Sequence, residues 1–160
     1  MTIGQITTPV HDDIPVQHVI VSVSDKTDLD KIVLEIIHWN PRAQFYSTGG
    51  TFGALQTILR GQAAGSLMAI EDYTGMPEMA DGLVKTLHPK IHAGLLGERE
   101  KPAHQDYIRH TLKGGVYFDM AIINLYPFVE TVAKPGVTFE EARSNIDIGG
   151  PTMLRAAAKN

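Results

Sequence analysis

Ser47-Thr48-Gly49-Gly50-Thr51 is the stretch around which the rest of this chain is arranged. A short apolar run, residues 43–46, leads into it, and an apolar pattern with helical spacing, residues 52–60, follows it. At such a strand-to-helix turn, the free amides of the first helical turn and the helix dipole attract an anion. Glycines let the backbone approach the anion closely, and the hydroxyls add donors. The stretch predicts a phosphate site, and the alternative is an ordinary turn with Thr51 as helix N-cap.

Composition restricts the class of protein. The 160 residues are 43% hydrophobic and 20% charged, which is typical of a globular domain with a full core. The net charge of −4 gives no electrostatic argument for nucleic acid or an anionic membrane as partner. The chain has no cysteine, which excludes disulfides and thiolate chemistry, and no apolar run of signal-peptide or membrane-span length. We therefore expect a cytoplasmic protein.

Apolar periodicity predicts strands that alternate with helices. Strands are expected at residues 18–24, 43–46, 67–70, 93–96 and 120–125. Helices are expected at residues 28–39, 52–60, after Pro102, from Thr138 and at 152–159, with residues 71–90 irregular. The alternation indicates an α/β fold, a doubly wound parallel sheet flanked by helices, in which ligands bind beyond the carboxyl ends of the strands. Residues 1–17 have no periodic apolar face and predict a flexible arm before a domain of residues 18–160.

Polar side chains follow the first predicted strand. Ser22 and Ser24 point to the same side under strand alternation, and Lys26 comes just beyond them. Lys26 can therefore reach a phosphate that is bound on the glycine turn. The alternative is a capped helix start with a solvated lysine.

Residues 84–92 contain two lysines and two histidines. Apolar neighbours would bury the stem of Lys85 and can desolvate its ammonium group. His88 and His92 have the i, i+4 spacing of a helical metal pair, but Pro89 breaks a helix between them and no glutamate takes the zinc-protease position. We therefore expect no metal site here.

Asp147-Ile148-Gly149-Gly150 has the physical features of the first glycine turn. Its amides open the last predicted helix and can hold a substrate carbonyl or a developing oxyanion, while Asp147 can orient a substrate amide. Lys159 lies roughly two to three helical turns further on and shares the site only if the helix itself lines it. The alternative is a turn followed by a solvated lysine.

Seven ordered segments resemble the IMP cyclohydrolase domain, the N-terminal half of the bifunctional purine-biosynthesis protein that also carries AICAR transformylase. The segments are residues 22–27, 47–51, 72–79, 84–92, 124–128, 132–138 and 146–160. The resemblance implies a fold similar to methylglyoxal synthase. It also implies closure of the purine ring of 5-formamidoimidazole-4-carboxamide ribotide to IMP, with loss of water and without a metal or redox cofactor.

The same resemblance implies roles for individual residues. Those that would hold the nucleotide phosphate are Ser24, Lys26, Ser47, Gly50 and Thr51. Those that would contact the base and the reacting groups are Thr86, Asn124, Ile148 and Gly149. Those that would carry the catalysis, with Lys159 acting in proton handling beside Asp147 and Lys85, are Lys85, Tyr126, Asp147 and Lys159.

The chain departs from the family at Leu83, where the family has a basic residue, and it matches only the cyclohydrolase half. The family continues beyond residue 160, so we expect the domain to be truncated at its C-terminus. The alternative to an enzyme is a non-catalytic methylglyoxal-synthase-like module that binds a phosphorylated ligand, and methylglyoxal synthase itself fits residues 84–92 less well. The partners that the resemblance implies are the purine ribotide, a second copy in a homodimer and a separate transformylase.

Overall fold

The computed structural model describes residues 13–60, 66–77, 79 and 83–160. Within them, one parallel sheet has the strand order β3-β2-β1-β4. Its strands are β1 (His18–Ser22), β2 (Gln44–Ser47), β3 (Leu67–Ala69) and β4 (Met120–Ile123). The parallel pairing and the helices between successive strands confirm the predicted α/β fold.

Helices cover both faces of the sheet. They are α1 (Leu29–Trp39), α2 (Gly49–Ile58), α3 (Ile70–Thr74), α4 (Pro89–Leu96), α5 (Pro102–Asp106), α6 (Phe128–Val132), α7 (Phe139–Ser144) and α8 (Gly149–Lys159). A single π-helical turn, Tyr107–Thr111, continues α5. Within the parts of the chain that the structure describes, no helix is long and apolar enough to cross a bilayer.

Two hydrophobic cores lie on opposite faces because successive strand residues point in opposite directions. Val19 and Val21 of β1 pack with α1 and α2 in the first core. Ile20, from the same strand, packs with α3, α4 and α8 in the second core. All three β1 side chains are almost fully buried, as the β-branched run predicts for a central strand of a parallel sheet.

The sequence prediction of a strand at residues 93–96 is wrong, because these residues belong to helix α4. His88 caps this helix by accepting a hydrogen bond from the backbone amide of Lys90, and Pro89 takes its first position. Proline is well suited to that position, where its missing amide is not needed by the helix. Helix α3 extends to Thr74 and helix α4 begins at Pro89, so both ends of the stretch expected to be irregular, residues 71–90, are helical.

Both glycine turns lie inside helices rather than before them. Helix α2 begins at Gly49 and α8 at Gly149, so each helix starts earlier than its apolar periodicity indicated. Thr48, and not Thr51, is the N-cap residue of α2. The consequence for the site is that the glycines themselves carry the first-turn amides.

The residues just before β1 are held by hydrogen bonds at the amino ends of the strands, opposite their carboxyl ends. Asp119 accepts hydrogen bonds from the backbone amides of Gln17 and His18 at 2.8 and 2.7 Å, and from Arg99 at 2.5 Å. The carbonyl of Val16 accepts from the Asn40 side chain at 2.7 Å. Residues 1–12 of the predicted arm lie outside the described residues.

Helix α8 offers a paired test of the second core. Met153 is completely buried in that core, whereas its neighbour Leu154 is 38% exposed. We expect Met153→Ala to lower the free energy of unfolding by about 2–5 kcal/mol, because it removes buried apolar contacts and leaves a cavity. Leu154→Ala should cost about 1 kcal/mol or less. Denaturant unfolding measures both values, and equal losses would contradict this assignment of the core.

Candidate functional site

A cavity of about 670 Å³ opens at the carboxyl ends of the strands. It is lined by the end of β1 with the β1–α1 loop, the start of α2 and residues 83–87. The rest of the lining comes from Asn124 and Tyr126 after β4, from Ser144 at the end of α7, and from residues 146–150 at the start of α8. Eleven of the thirteen predicted site residues are among the lining residues, and the two exceptions are Ser47 and Lys159. The eleven are Ser24, Lys26, Gly50, Thr51, Lys85, Thr86, Asn124, Tyr126, Asp147, Ile148 and Gly149. A larger hollow of about 890 Å³, around Ile36 and Trp39 at the opposite edge, contains none of them.

The start of α2 forms one end of the cavity. Gly49 has a positive φ of 56°, which favours glycine, and the lining includes Gly49 and Gly50. Among the described residues no side chain caps this helix, because the Thr48 hydroxyl donates to the Glu71 carboxylate at 2.7 Å. A helix start of this kind presents backbone amides and a positive dipole end to the cavity.

Two of the hydroxyls that were predicted to bind phosphate are bonded to β1 instead. The Ser47 hydroxyl is 1% exposed, donates to the carbonyl of Val21 at 2.8 Å and lies outside the cavity lining. The Thr51 hydroxyl lines the cavity but donates to the Val23 carbonyl at 2.8 Å and accepts from the Val23 amide at 3.2 Å. Ser47 thus ties the end of β2 to β1, and Thr51 ties the start of α2 to the residue that follows β1.

The loop between β1 and α1 brings Lys26 to the same end of the cavity. The Lys26 ammonium donates to the carbonyls of Val23 and Ser24 at 3.3 and 3.1 Å. Beside it, the hydroxyl and the amide of Thr27 donate to Asp25, and these hydrogen bonds hold the pKa of Asp25 below its ordinary value. Asp25 therefore stays ionised at neutral pH, next to the Lys26 cation.

Residues 83–86 form a turn that brings Lys85 to the start of α2. Val84 adopts a φ of 59°, a left-handed conformation that is strained for a β-branched residue. The Lys85 ammonium lies 3.7 Å from the position that a Cβ atom at Gly49 would occupy. Two lysines, Lys26 and Lys85, thus line the cavity that the uncapped helix start opens into.

The start of α8 forms the other end of the cavity. Asp147 accepts hydrogen bonds from the backbone amides of Gly150 at 2.8 Å and of Tyr126 at 3.2 Å. A Cβ atom at Gly149 would collide with the Thr86 hydroxyl, so only glycine allows this close approach. Tyr126 is 53% exposed and lines the cavity beside them.

Lys159 does not reach this cavity. It lies at the opposite end of α8, ten residues from Gly149, which corresponds to about 15 Å along the helix axis. There it lines a separate, open hollow with His92 and Arg155. The condition stated for Lys159, that the helix itself should line the site, is not met, because only the first turn of α8 does so.

The two histidines of residues 84–92 have structural contacts. Burial lowers the pKa of His88, and the Lys90 ammonium adds to this effect, so the ring is neutral at pH 7 and accepts from the Lys90 amide. His92 Nε2 lies 3.1 Å from the carbonyl of Thr86. Among the described residues, no group of three or more His, Cys, Asp or Glu side chains is arranged to hold a metal ion.

Sequence reasoning missed several lining residues. Ser144 and Ile146 enter the cavity from the end of α7, whose start is fixed by a capping box between Thr138 and Glu141. The capping box was visible in the sequence, but nothing local indicated that the end of this helix would face the site. Leu83, the departure from the family, also lines the cavity and is more than half exposed.

Comparisons with known proteins identify the family. Residues 40–152 match the family described as MGS-like domain. The chain is 49% identical over 146 residues to the bifunctional purine biosynthesis protein PurH of Pelodictyon phaeoclathratiforme, and 51% identical over 146 residues to PurH of Chlorobium phaeobacteroides. Each alignment covers 91% of this chain and 26% of the relative, so the chain spans about a quarter of the length of these relatives.

A solved structure, titled "Crystal structure of ForH", has the same fold. It superimposes with a TM-score of 0.63 at 26% sequence identity, and the match covers 90% of this chain and 68% of that chain. The predicted family and fold are thereby confirmed. The chain belongs to the MGS-like domain family, and it matches the part of the bifunctional purine biosynthesis protein PurH that makes up about a quarter of that protein.

Proposed function

We propose that this chain closes the purine ring of 5-formamidoimidazole-4-carboxamide ribotide to form IMP and water. One observation supports this proposal above all. A single cavity has two lysines and the uncapped start of α2 at one end, and the Asp147-anchored start of α8 at the other. One ribotide lying across the sheet edge can place its phosphate at the first end and its heterocycle at the second.

Phosphate binding rests on the amides of α2 and on Lys26. The dipole and first-turn amides of a helix start favour a phosphate, and lysine adds a mobile positive charge. Lys26 lines the cavity and supplies this charge even though Leu83 stands where the family has a basic residue. Lys85 is assigned to the reacting groups.

Ring closure requires positioning and proton transfer. The carboxamide nitrogen forms a bond to the formyl carbon and loses a proton, while the formyl oxygen becomes a hydroxyl. The carbon–oxygen bond then breaks, the formamide nitrogen gives up its proton, and water leaves. Because both groups are on one ring, holding them face to face supplies a large part of the acceleration.

The start of α8 is suited to the oxygen on which negative charge develops. The Gly149 amide belongs to its first turn and Ile148 is the N-cap residue before it, where the helix dipole adds positive potential. Asp147 is fixed by two backbone amides, so its remaining lone pairs have a defined direction toward the substrate carboxamide. Lys85 and Tyr126 supply the ionisable groups for proton transfer, and Lys159 has no step in this scheme because of its position.

A second candidate function is binding without turnover, and Leu83 is the observation that favours it. Loss of one cation from the cavity weakens the electrostatic stabilisation on which catalysis depends. The homodimer and the separate transformylase implied by the resemblance stay predictions.

The deciding experiment compares two lysine variants with the parent chain. The parent chain should convert the formylated ribotide to IMP, and the change in absorbance measures the rate. We expect Lys85→Ala to lower kcat about a hundredfold to a thousandfold, because it removes a proton-transfer group. Lys26→Ala should chiefly weaken IMP binding, by at least about tenfold, because it removes a charged contact to phosphate.

Calorimetric titration with IMP supplies the affinities for the same variants. A parent chain that binds IMP but shows no turnover above background would establish the binding-only function. Equal effects of the two substitutions on kcat and on affinity would contradict the division of roles between the lysines.

The close approach of α8 to Thr86 offers a second test. Gly149→Ala should lower turnover by about a hundredfold, because the added methyl group displaces the Lys85–Thr86 segment, and misplacement by about 1 Å is costly. Gly53→Ala is the matched control, since nothing lies within 4 Å of its added methyl group. Gly53→Ala should keep its activity and raise the free energy of unfolding by about 0.5–1 kcal/mol. Unchanged turnover in Gly149→Ala would argue against this placement of Thr86.

A further inference from the structure

The side chain of Asn124 is bonded to the loop that carries Lys26. Its Oδ1 accepts from the backbone amide of Ser24 at 2.6 Å and from that of Asp25 at 3.1 Å. Its Nδ2 donates to the carbonyl of Asp25 at 2.7 Å. Asn124 directly follows β4, and its own backbone amide donates to the Ser22 carbonyl at 3.2 Å, which extends the pairing of β4 with β1.

These bonds use most of what the amide of Asn124 can offer. A side-chain amide has one oxygen with two lone pairs and one nitrogen with two hydrogens. Both lone pairs and one hydrogen point to the backbone of Ser24 and Asp25. The side-chain amide of Asn124 therefore bonds to the loop, although the resemblance implied that Asn124 contacts the base.

The loop has no regular structure, and its other hydrogen bonds lie within the loop itself or at its two ends, where for example Thr51 bonds to Val23. It lies between the end of β1 at Ser22 and the start of α1 at Leu29, without regular structure of its own. It ends at Asp28, whose φ of 59° is left-handed. Its Lys26 must present a cation at a fixed place, and each conformation that points elsewhere lowers the apparent phosphate affinity.

We propose that Asn124 is a positioning residue for the phosphate-binding loop and does not recognise the base. This inference rests on the proposed function in one respect, namely that the loop binds the phosphate of a ribotide. The amide of Asn124 holds the backbone of Ser24 and Asp25, and through it the Lys26 ammonium, in a conformation that is ready for the phosphate.

The test compares two ligands that share the phosphate and differ in the base. Affinities of the parent and of Asn124→Ala are measured by calorimetry for IMP and for ribose 5-phosphate. We expect Asn124→Ala to lower the affinity for both ligands by the same factor, about tenfold, because a smaller fraction of the loop conformations can bind phosphate. Weaker binding of IMP alone, with ribose 5-phosphate unchanged, would show a base contact and overturn the proposal.

A second measurement needs no ligand. Amide hydrogen exchange over residues 24–28 should be at least about tenfold faster in Asn124→Ala, because the loop opens more often. Unchanged exchange in these residues would also overturn the proposal. Asn124→Gln, which keeps the amide but moves it by one methylene group, should show the same two changes and serves if the alanine variant does not fold.

Asn40 provides the matched control. Its side-chain amide also bonds twice to the backbone, to the Val16 carbonyl at 2.7 Å and to the Arg42 amide at 3.0 Å. These bonds lie at the amino ends of the strands, away from the cavity. Asn40→Ala should leave both affinities and the exchange of residues 24–28 unchanged. If Asn40→Ala altered them as Asn124→Ala does, the effect would be one of general stability, and the positioning role would be refuted.

Failure of the proposed function is distinguishable from failure of this inference. A parent chain that binds ribose 5-phosphate but forms no IMP from the formylated ribotide refutes the ring closure alone. The comparison of Asn124→Ala with Asn40→Ala then still decides whether Asn124 positions the loop.

Discussion

The end of β1 is the point on which the candidate site depends. β1 pairs in parallel with β2 on one side and with β4 on the other, so three strands finish at the same edge of the sheet. Side chains that follow both neighbouring strands are then bonded to the backbone after β1: Thr51 of α2 to Val23, and Asn124, just after β4, to Ser24 and Asp25. The start of α2, the end of β4 and the Lys26 loop therefore share one framework.

Two helix starts contribute backbone rather than side chains to the cavity. α2 opens with Gly49 and α8 with Gly149, and residues 85 and 86 lie near them. Thr86 is so close to Gly149 that a methyl group there would collide with its hydroxyl. Glycine at these positions is thus explained by contact as well as by backbone conformation, and the contacts connect the two ends of the cavity.

The electrostatics of the site differ from those of the whole chain. The chain carries a net charge of −4, yet two lysines, Lys26 and Lys85, line the cavity. The two carboxylates nearby are tied by hydrogen bonds, Asp25 to Thr27 and Asp147 to the amides of Tyr126 and Gly150. Their negative charges therefore have fixed positions.

The sequence by itself determined the parallel α/β fold and the place of both glycine turns, and its resemblance to the family indicated eleven residues of the cavity. The fold follows from local rules, since apolar periodicity defines the elements and parallel strands bring their carboxyl ends to one edge. Residues 93–96 were predicted as a strand, but Pro89 begins a helix that includes them. Only the tertiary structure decided that Lys159 lies at the far end of α8, and that Ser47 and Asn124 bond to β1 and its loop. Those bonds join residues 26 and 100 positions apart, and no local spacing specifies which distant backbone group a polar side chain will meet.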